Sequence, residues 1–466
     1  MGSSPCRKAL KKLESRNKSA LIAAIIIIII LTGLKLYETY NQASSLQGYV
    51  SDEIWYVPSA RLIANNLLGL KTTYEYAEGQ YGYSVLLKDQ ADVLACKLKV
   101  QLYGGEIIKS DYIKNTAIAV ALPKGTLPEN VCEGVMKVVP GYPMPDNENV
   151  FDYVNPEHPP IGKYIIAIFM SIFGDRPIIW RLPGVIEAGL LVVIAGLAGW
   201  KLFGLFGAAI SSAVASFDPL TKNMGSVAML DIHLAFFTAL GILFYIYNRP
   251  ILSLSFISLS GLVKYSGFFL IPFIFIYLWR EGRLRLRAAI YVLAFPLAFA
   301  AIVFMPYIFH YGISWVIQQF MFALSWHTES RPPGPPTSTP IEWILGWSPF
   351  YLSYNPDIPA SGSPIIYVPV FVASLISFPL YFIERERPGN EQKTYGVFLS
   401  ILIFLFMYTL LYIIGNKTLY SFYFTQITPA FYYSFVGSML VIAGCFPSLS
   451  ELIELVKGFL KANASK

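Results

Sequence analysis

Apolar residues in this chain come in long unbroken runs. The first extends from Ser19 to about Leu36 and includes six consecutive isoleucines, Ile25 to Ile30. After residue 160 such runs follow closely, over about 181–200, 204–217, 228–247, 251–264, 267–280, 288–307, 365–383, 394–414 and 423–445. About 20 apolar residues cross a bilayer as a helix, so the pattern predicts an all-α polytopic membrane protein with about ten transmembrane helices. The run Ile161–Phe173 is too short to span comfortably, and counting it would put Arg280 outside. It reads as a helix in the outer interface, or one that dips in and returns. Two long stretches break the series. Within residues 37–160, the segment at about 70–150 alternates, as in Glu106-Ile-Ile-Lys-Ser and Thr116-Ala-Ile-Ala-Val-Ala-Leu. Alternation predicts the strands of a small α+β insert. Residues 308–364 are rich in Trp and Pro, including Arg331-Pro-Pro-Gly-Pro-Pro, and proline at this density excludes a regular helix. Leu449, Leu452, Ile453, Val456 and Leu460 predict an amphipathic helix in the closing 446–466.

Composition agrees with this pattern. Of 466 residues, 55% are hydrophobic and 14% charged, against roughly 25% charged in soluble proteins. Too few charges remain to coat a soluble multidomain enzyme, and disorder and a nucleic-acid-binding domain are excluded likewise. Arg7, Lys8, Lys11, Lys12, Arg16 and Lys18 in residues 1–18 place the N-terminus in the cytoplasm, and 19–36 reads as the first transmembrane helix rather than a cleaved signal. The basic breaks Arg280, Arg283, Arg285, Arg287 and Arg385, Arg387, Lys393 are also cytoplasmic by that rule. The organisation expected is thus an outer loop with its insert (37–160), an interfacial helix and transmembrane core (161–307), a second outer loop (308–364), closing helices (365–445) and a cytoplasmic tail (446–466). The membrane is of plasma or ER type. Cys96 and Cys132 share the outer insert and are a candidate disulfide, the alternative being two unrelated buried thiols. Asn416-Lys-Thr418 is an N-glycosylation sequon expected outside.

This topology brings polar residues to one boundary. Asp52 and Glu53 follow the first helix, Glu157, His158 and Lys163 end the first loop, and Arg181 opens the second span. Asp231 and His233 open the fourth, Lys264 ends the fifth, and His327 and Glu329 lie in the second outer loop. Ionisable groups at membrane depth are costly and suggest function, although singly an acidic pair at a helix start can be a cap and Lys264 can snorkel. Adjacent carboxylates on a helix diverge by about 100°, so one can face a cavity while the other caps or orients. A carboxylate can serve as general base on a hydroxyl, and Arg and Lys can hold a phosphate leaving group. A sugar carried on a lipid phosphate needs both.

The motifs resemble those of the dolichyl-phosphate-mannose–protein mannosyltransferase family and the related aminoarabinose transferases. His158-Pro-Pro-Ile-Gly-Lys163 resembles the HPPLGK signature, and Phe173-Gly-Asp with Trp180-Arg-Leu-Pro183 is similar to the Arg-containing segment that follows it. Leu230-Asp-Ile-His-Leu-Ala-Phe-Phe237, Gly261-Leu-Val-Lys-Tyr-Ser-Gly267, the pair Asp52-Glu53 and the stretch His327 to Trp343 resemble four further family motifs. The 70–150 insert departs from the family, and residues 308–364 are too few for the eukaryotic β-trefoil insert.

The resemblance implies the GT-C membrane glycosyltransferase fold, a polyprenyl (dolichyl) phosphate sugar as donor, with mannose as the sugar, and inversion by direct displacement on the extracytoplasmic face. It implies Asp52 as general base with Glu53 supporting it. It implies Lys163 and Arg181 on the donor phosphate helped by His158, Lys264 on the phosphate or the sugar, Asp231 positioning His158 or a basic neighbour, and His327 and Glu329 bordering the acceptor or sugar pocket. The acceptor would be a protein, a glycan or a lipid. No metal is required by this chemistry, although adjacent Glu157 and His158 are able to ligate a divalent ion. The rival reading is a transporter or lipid-linked-sugar flippase, against which stand the crowding of charge at one interface and the lack of an internal repeat.

Overall fold

The computed structural model describes residues 17–329, 336–383, 389–443 and 457. The amphipathic tail helix, the basic residues 7–16, Arg385, Arg387 and the proline run 331–335 fall outside the described residues. Helix α1 (Lys18–Ser45) is capped by Asn17, whose side chain accepts the Ala20 N–H at 2.8 Å. Ala20, Ala24, Ile28, Lys35, Thr39 and Ala43 form its buried stripe, while Ile25, Ile26, Ile29 and Ile30 stay exposed. An apolar outer face suits lipid rather than water. A short turn leads into α2 (Glu53–Leu62).

The chain then forms an antiparallel sheet, β1 (Glu75–Ala77), β2 (Gln80–Leu87), β3 (Glu106–Lys109), β4 (Ala117–Pro123) and β5 (Val135–Pro140), with α3 (Gln90–Leu102) packed on it. Strand β2 is central: β4 pairs along one side, and β1 and β5 share the other. The alternation in β4 explains the layering. Ile118, Val120 and Leu122 pack under α3 with Val93, Cys96 and Val100. Small Ala117 and Ala119 face the other way, against Leu62, Ile63 and Tyr307 of the bundle. Cys96 and Cys132 are joined in a disulfide within the α3 layer.

Helix α4 (Ile161–Phe173) buries Ile161, Ile166, Ala167 and Met170 and leaves Ile168, Ile172 and Phe173 exposed. Helix α5 (Pro177–Phe217) has 41 residues, about 60 Å if straight, twice a bilayer core. It turns back instead at Phe203 (φ −134°, ψ 18°) and Gly204 (φ 65°, ψ −149°). Its arms meet at bare backbone: a Cβ on Gly199 would lie 2.2 Å from the Gly207 carbonyl oxygen. Next come α6 (Pro219–Gly225), α7 (Leu230–Ile246), α8 (Pro250–Gly261), a 3-10 turn (Tyr265–Leu270) and α9 (Ile271–Arg280). Then follow α10 (Leu286–Val303), α11 (Met305–Tyr311) and α12 (Ile313–Thr328). The chain closes with α13 (Pro340–Leu345), the hairpin β6 (Tyr351–Tyr354) and β7 (Asp357–Pro359), α14 (Pro364–Ile383), α15 (Asn390–Ile414), a second 3-10 turn (Ser421–Gln426) and α16 (Thr428–Ile442). Among the described residues, five helices are long and apolar enough to cross a membrane, α1, α5, α10, α14 and α15, and shorter apolar helices pack between them. The chain is an integral membrane protein.

The second outer loop corrects one expectation. Proline excludes helix only where it occurs, and residues 313–328, which contain none, form a regular helix. Buried polar pairs knit the bundle. Lys35 donates to the backbone oxygens of Asp218 (2.7 Å) and Ser216 (3.2 Å), and the Asp218 carboxylate accepts the hydroxyls of Tyr367 (2.7 Å) and Tyr432 (2.6 Å). In an ordinary helix Gly→Ala stabilises by about 0.5–1 kcal/mol. Gly199→Ala is expected to do the opposite and lower the thermal midpoint of the detergent-solubilised protein. An unchanged or raised midpoint would mean that the α5 arms do not pack through Gly199.

Candidate active site

The link between α1 and α2 carries the acidic pair, and its two carboxylates part at once. Glu53 is fully buried and meets Arg181, on the first arm of α5, side-on: Nε to Oε1 and Nη2 to Oε2, both 2.7 Å. Glu53 also accepts the backbone N–H of Val50 and of Ala228, each at 2.8 Å. The remaining Arg181 N–H groups go to the carbonyls of Ala43 (3.2 Å), Leu46 (2.7 Å) and Gly48 (2.6 Å). A guanidinium has five N–H donors, and here protein acceptors engage all five. Asp52 is half-buried and accepts the Tyr56 hydroxyl at 3.3 Å. Burial pushes its carboxyl up from the ordinary range, and nearby Lys264 partly opposes that. Burial also raises the Tyr56 phenol, so Tyr56 stays a neutral donor beside it.

The His158-Pro-Pro-Ile-Gly-Lys163 turn has a folding role readable atom by atom. Gly162 lets α4 approach α7, since a Cβ there would lie 2.7 Å from Leu230. Lys163, wholly buried, donates to the carbonyls of Val154 (3.1 Å), Asn155 and His158 (2.8 Å). Its three N–H groups hold the loop that presents His158, whose ring packs edge-on to Tyr56 at 5.8 Å. Glu157 accepts the Tyr153 hydroxyl. Among the described residues, no group of three or more His, Cys, Asp or Glu side chains gathers as metal ligands, around Glu157 and His158 or elsewhere.

Asp231, on the first turn of α7, is fully buried and accepts two hydrogen bonds from Lys264 Nζ, at 3.0 and 2.9 Å. Lys264 is extended (φ −142°, ψ 140°) between α8 and the 3-10 turn. The glycines of Gly261-Leu-Val-Lys-Tyr-Ser-Gly267 allow this, because a Cβ on Gly267 would lie 2.2 Å from the Gly261 nitrogen. Its ammonium also sits over the rings of Tyr423 (4.9 Å) and Phe422 (5.3 Å). Beside this group opens a cavity of about 1030 Å³. His158, Lys264, Tyr408, Asn416 and Tyr423 contribute its polar lining, and the apolar side chains of α10 and α12, Leu297, Phe304, Val316 and Phe320 among them, make its walls.

The structure therefore sorts the expected residues. Asp52, His158, Asp231 and Lys264 come together. Glu53, Lys163 and Arg181 lie nearby, sealed into the scaffold; the expected phosphate role of Lys163 and Arg181 meets donors that are already engaged. Glu329 caps α12 and is exposed. His327 is on the last turn of that helix, and its side chain falls outside the described residues. His233 pairs with Glu187 of α5 at 2.5 Å, deep in the bundle. Sequence reasoning missed Tyr56, Tyr408 and Tyr423; for Tyr423 the aromatic density of residues 419–424 was a signal. It also missed the buried pair of Arg61 and Asp175, where Arg61 Nη2 meets Asp175 Oδ1 at 3.1 Å. Asp175 also accepts the Tyr142 N–H at 3.0 Å, which fastens the exit of the insert to the α4–α5 turn.

A charged cluster beside an apolar, helix-walled cavity is thus what the bundle holds together. Residues 157–310 match the family described as dolichyl-phosphate-mannose-protein mannosyltransferase, and the resemblance read from the motifs holds over that segment. The segment includes His158, Lys163, Arg181, Asp231 and Lys264 but not Asp52. No curated protein matches the chain. Among solved structures, ArnT from Cupriavidus metallidurans bound to undecaprenyl phosphate is 13% identical, with a TM-score of 0.44 over 88% of this chain and 63% of that one. The Archaeoglobus fulgidus oligosaccharyltransferase in its apo form is 12% identical, with a TM-score of 0.45 over 96% of this chain and 55% of that one. The chain thus spans less than two thirds of the length of either protein.

Removing one partner of a buried ion pair costs about 3–5 kcal/mol. Arg181→Ala is accordingly expected to lower the thermal midpoint sharply, with the folded remainder keeping its affinity for polyprenyl phosphate. A variant with the wild-type midpoint and lost lipid binding would return Arg181 to the phosphate.

Proposed function

We propose that this protein is an integral membrane glycosyltransferase that moves a sugar, mannose by its family resemblance, from a polyprenyl-phosphate carrier to an acceptor hydroxyl at the outer face. The observation that supports this most is that Lys264, which with His158 lines the cavity, lies close enough to Asp52 to oppose the rise of its carboxyl. Small-molecule pockets run to roughly 1,000 Å³, so a volume of about 1030 Å³ is ample for a sugar phosphate and the first isoprene units. The rest of the lipid would leave between α10 and α12 into the bilayer.

In the reaction, Asp52 takes the proton of the acceptor hydroxyl as its oxygen attacks the anomeric carbon. The bond from that carbon to the phosphate oxygen breaks, and polyprenyl phosphate departs with the electron pair. A single displacement inverts the anomeric centre. Lys264, with one N–H left beyond the two given to Asp231, stabilises the charge that develops on the phosphate, together with His158. Asp231 is a positioning residue that holds the ammonium in place. Arg181, Glu53 and Lys163 build the scaffold that presents Asp52 and His158. Burial suits Asp52 to this role, since a carboxylate with a raised pKa is a stronger base.

Two outcomes test this reading. Asp52→Asn is expected to reduce transfer from polyprenyl-phosphate-mannose by about 10²–10⁴-fold with donor binding retained, and full transfer by that variant would remove Asp52 as the base. The base must be ionised to act, so activity should be present above its pKa and fall as pH drops through it. Because that pKa is raised, the acid limb of kcat/KM should lie above the value of about 4 for an unperturbed aspartate. A limb at or below that value would contradict the assignment.

A further inference from the structure

Helix α12 is apolar along most of its length, and one residue on its cavity face departs from that. Val316, Gln319 and Ala323 recur at the spacing of a single helix face, and all three line the cavity beside Lys264. Gln319 is half-buried, whereas Gln318, about 100° round the helix, is exposed. Among the described residues, no group hydrogen-bonds to the Gln319 carboxamide. A leucine in its place would complete the apolar wall. An amide withdrawn from water without a partner is costly, and a residue that breaks the local pattern with no internal compensation points to a ligand. The surroundings narrow down which part of a ligand. Trp315, one turn before Gln319, lines the same cavity. Its indole stacks on Tyr311 (4.4 Å, 23°) and on Tyr307 (5.8 Å, 14°), which hold it in place. Phe320, the next residue along, meets Tyr265 edge-on at 5.6 Å, and this ties the segment to the residue that follows Lys264.

We propose that Gln319 is a binding residue for the sugar of the donor, giving and taking hydrogen bonds at its hydroxyls beside the Trp315 indole. This rests on the glycosyl-phosphate reading above and deepens it, by giving the sugar its own wall on α12. A carboxamide carries both donors and an acceptor. Isoprene units can use neither, and an ionised phosphate only accepts. Adjacent sugar hydroxyls use both, and the flat apolar face of an indole suits the C–H face of a sugar ring.

The test uses the full-length protein in lipid nanodiscs with two probes, polyprenyl-phosphate-mannose and polyprenyl phosphate without a sugar. Gln319→Leu should weaken binding of the mannosyl lipid about tenfold, the loss of one or two neutral hydrogen bonds. Affinity for the bare phosphate should stay as in the wild type. The melting temperature should hold or rise, because an unpaired amide gives way to an apolar side chain. In transfer assays the donor KM should rise with a smaller change in kcat. Gln319→Met, close to glutamine in length, should behave in the same way, and it decides the matter if the Leu variant does not fold. Wild-type affinity for the mannosyl lipid in a folded variant, or equal losses for the two lipids, would overturn the proposal. Absence of transfer by the wild-type protein itself would instead count against the glycosyltransferase reading, and the paired affinities would still test Gln319.

Discussion

One end of this bundle depends on one ion pair. Arg181 and Glu53 are both shut away from solvent, and together they gather the end of α1, the start of α2, the first arm of α5 and the loop before α7. A buried pair earns its place only when every remaining donor and acceptor is also matched, and here the guanidinium has five acceptors and the carboxylate four donors. The consequence for chemistry is indirect and strong. With Glu53 locked inward, the neighbouring Asp52 is left half-buried, with Tyr56 as its hydrogen-bond donor.

The same division runs through the other charges. Lys163 uses its three N–H groups on backbone carbonyls, and Arg61 is turned onto Asp175 and Tyr49. These buried residues hold neighbouring loops, where an unpaired polar group is costly. Lys264 differs, because it lines the cavity while Asp231 and two aromatic rings steady it. A preorganised cation of this kind acts on a ligand without reorganising during reaction. Neighbours in sequence can thus have different surroundings, as Glu53 and Asp52 do, and Lys163 and His158.

Much of the fold was legible because its signals are periodic. Six isoleucines in a row could only face lipid or a large core, and Ile25, Ile26, Ile29 and Ile30 form the exposed side of α1 while Ile28 packs inward. The Ala-Ile-Ala-Val-Ala-Leu alternation told of a strand with two unlike faces, and β4 has them. The candidate site was legible as a set of positions but not as a set of roles. Whether an arginine meets a phosphate or five protein oxygens depends on where carbonyls of Ala43, Leu46 and Gly48 arrive in space, and no spacing in the sequence encodes that. Asn-x-Thr is likewise a local pattern, whereas the burial of Asn416 against the cavity is a long-range fact. Tyr423 lies about 160 residues from Lys264 in sequence, and only the closed bundle brings them together.

The central claim is that the cavity beside Lys264 receives a lipid phosphate. The most direct measurement is photolabelling in nanodiscs with a polyprenyl phosphate carrying a diazirine in its first isoprene units, followed by peptide mapping. Label should concentrate on α10 and α12, be displaced by unlabelled polyprenyl phosphate and not by the corresponding polyprenol, and weaken in Lys264→Met. Labelling confined to other helices, or equal displacement by the uncharged alcohol, would contradict the account.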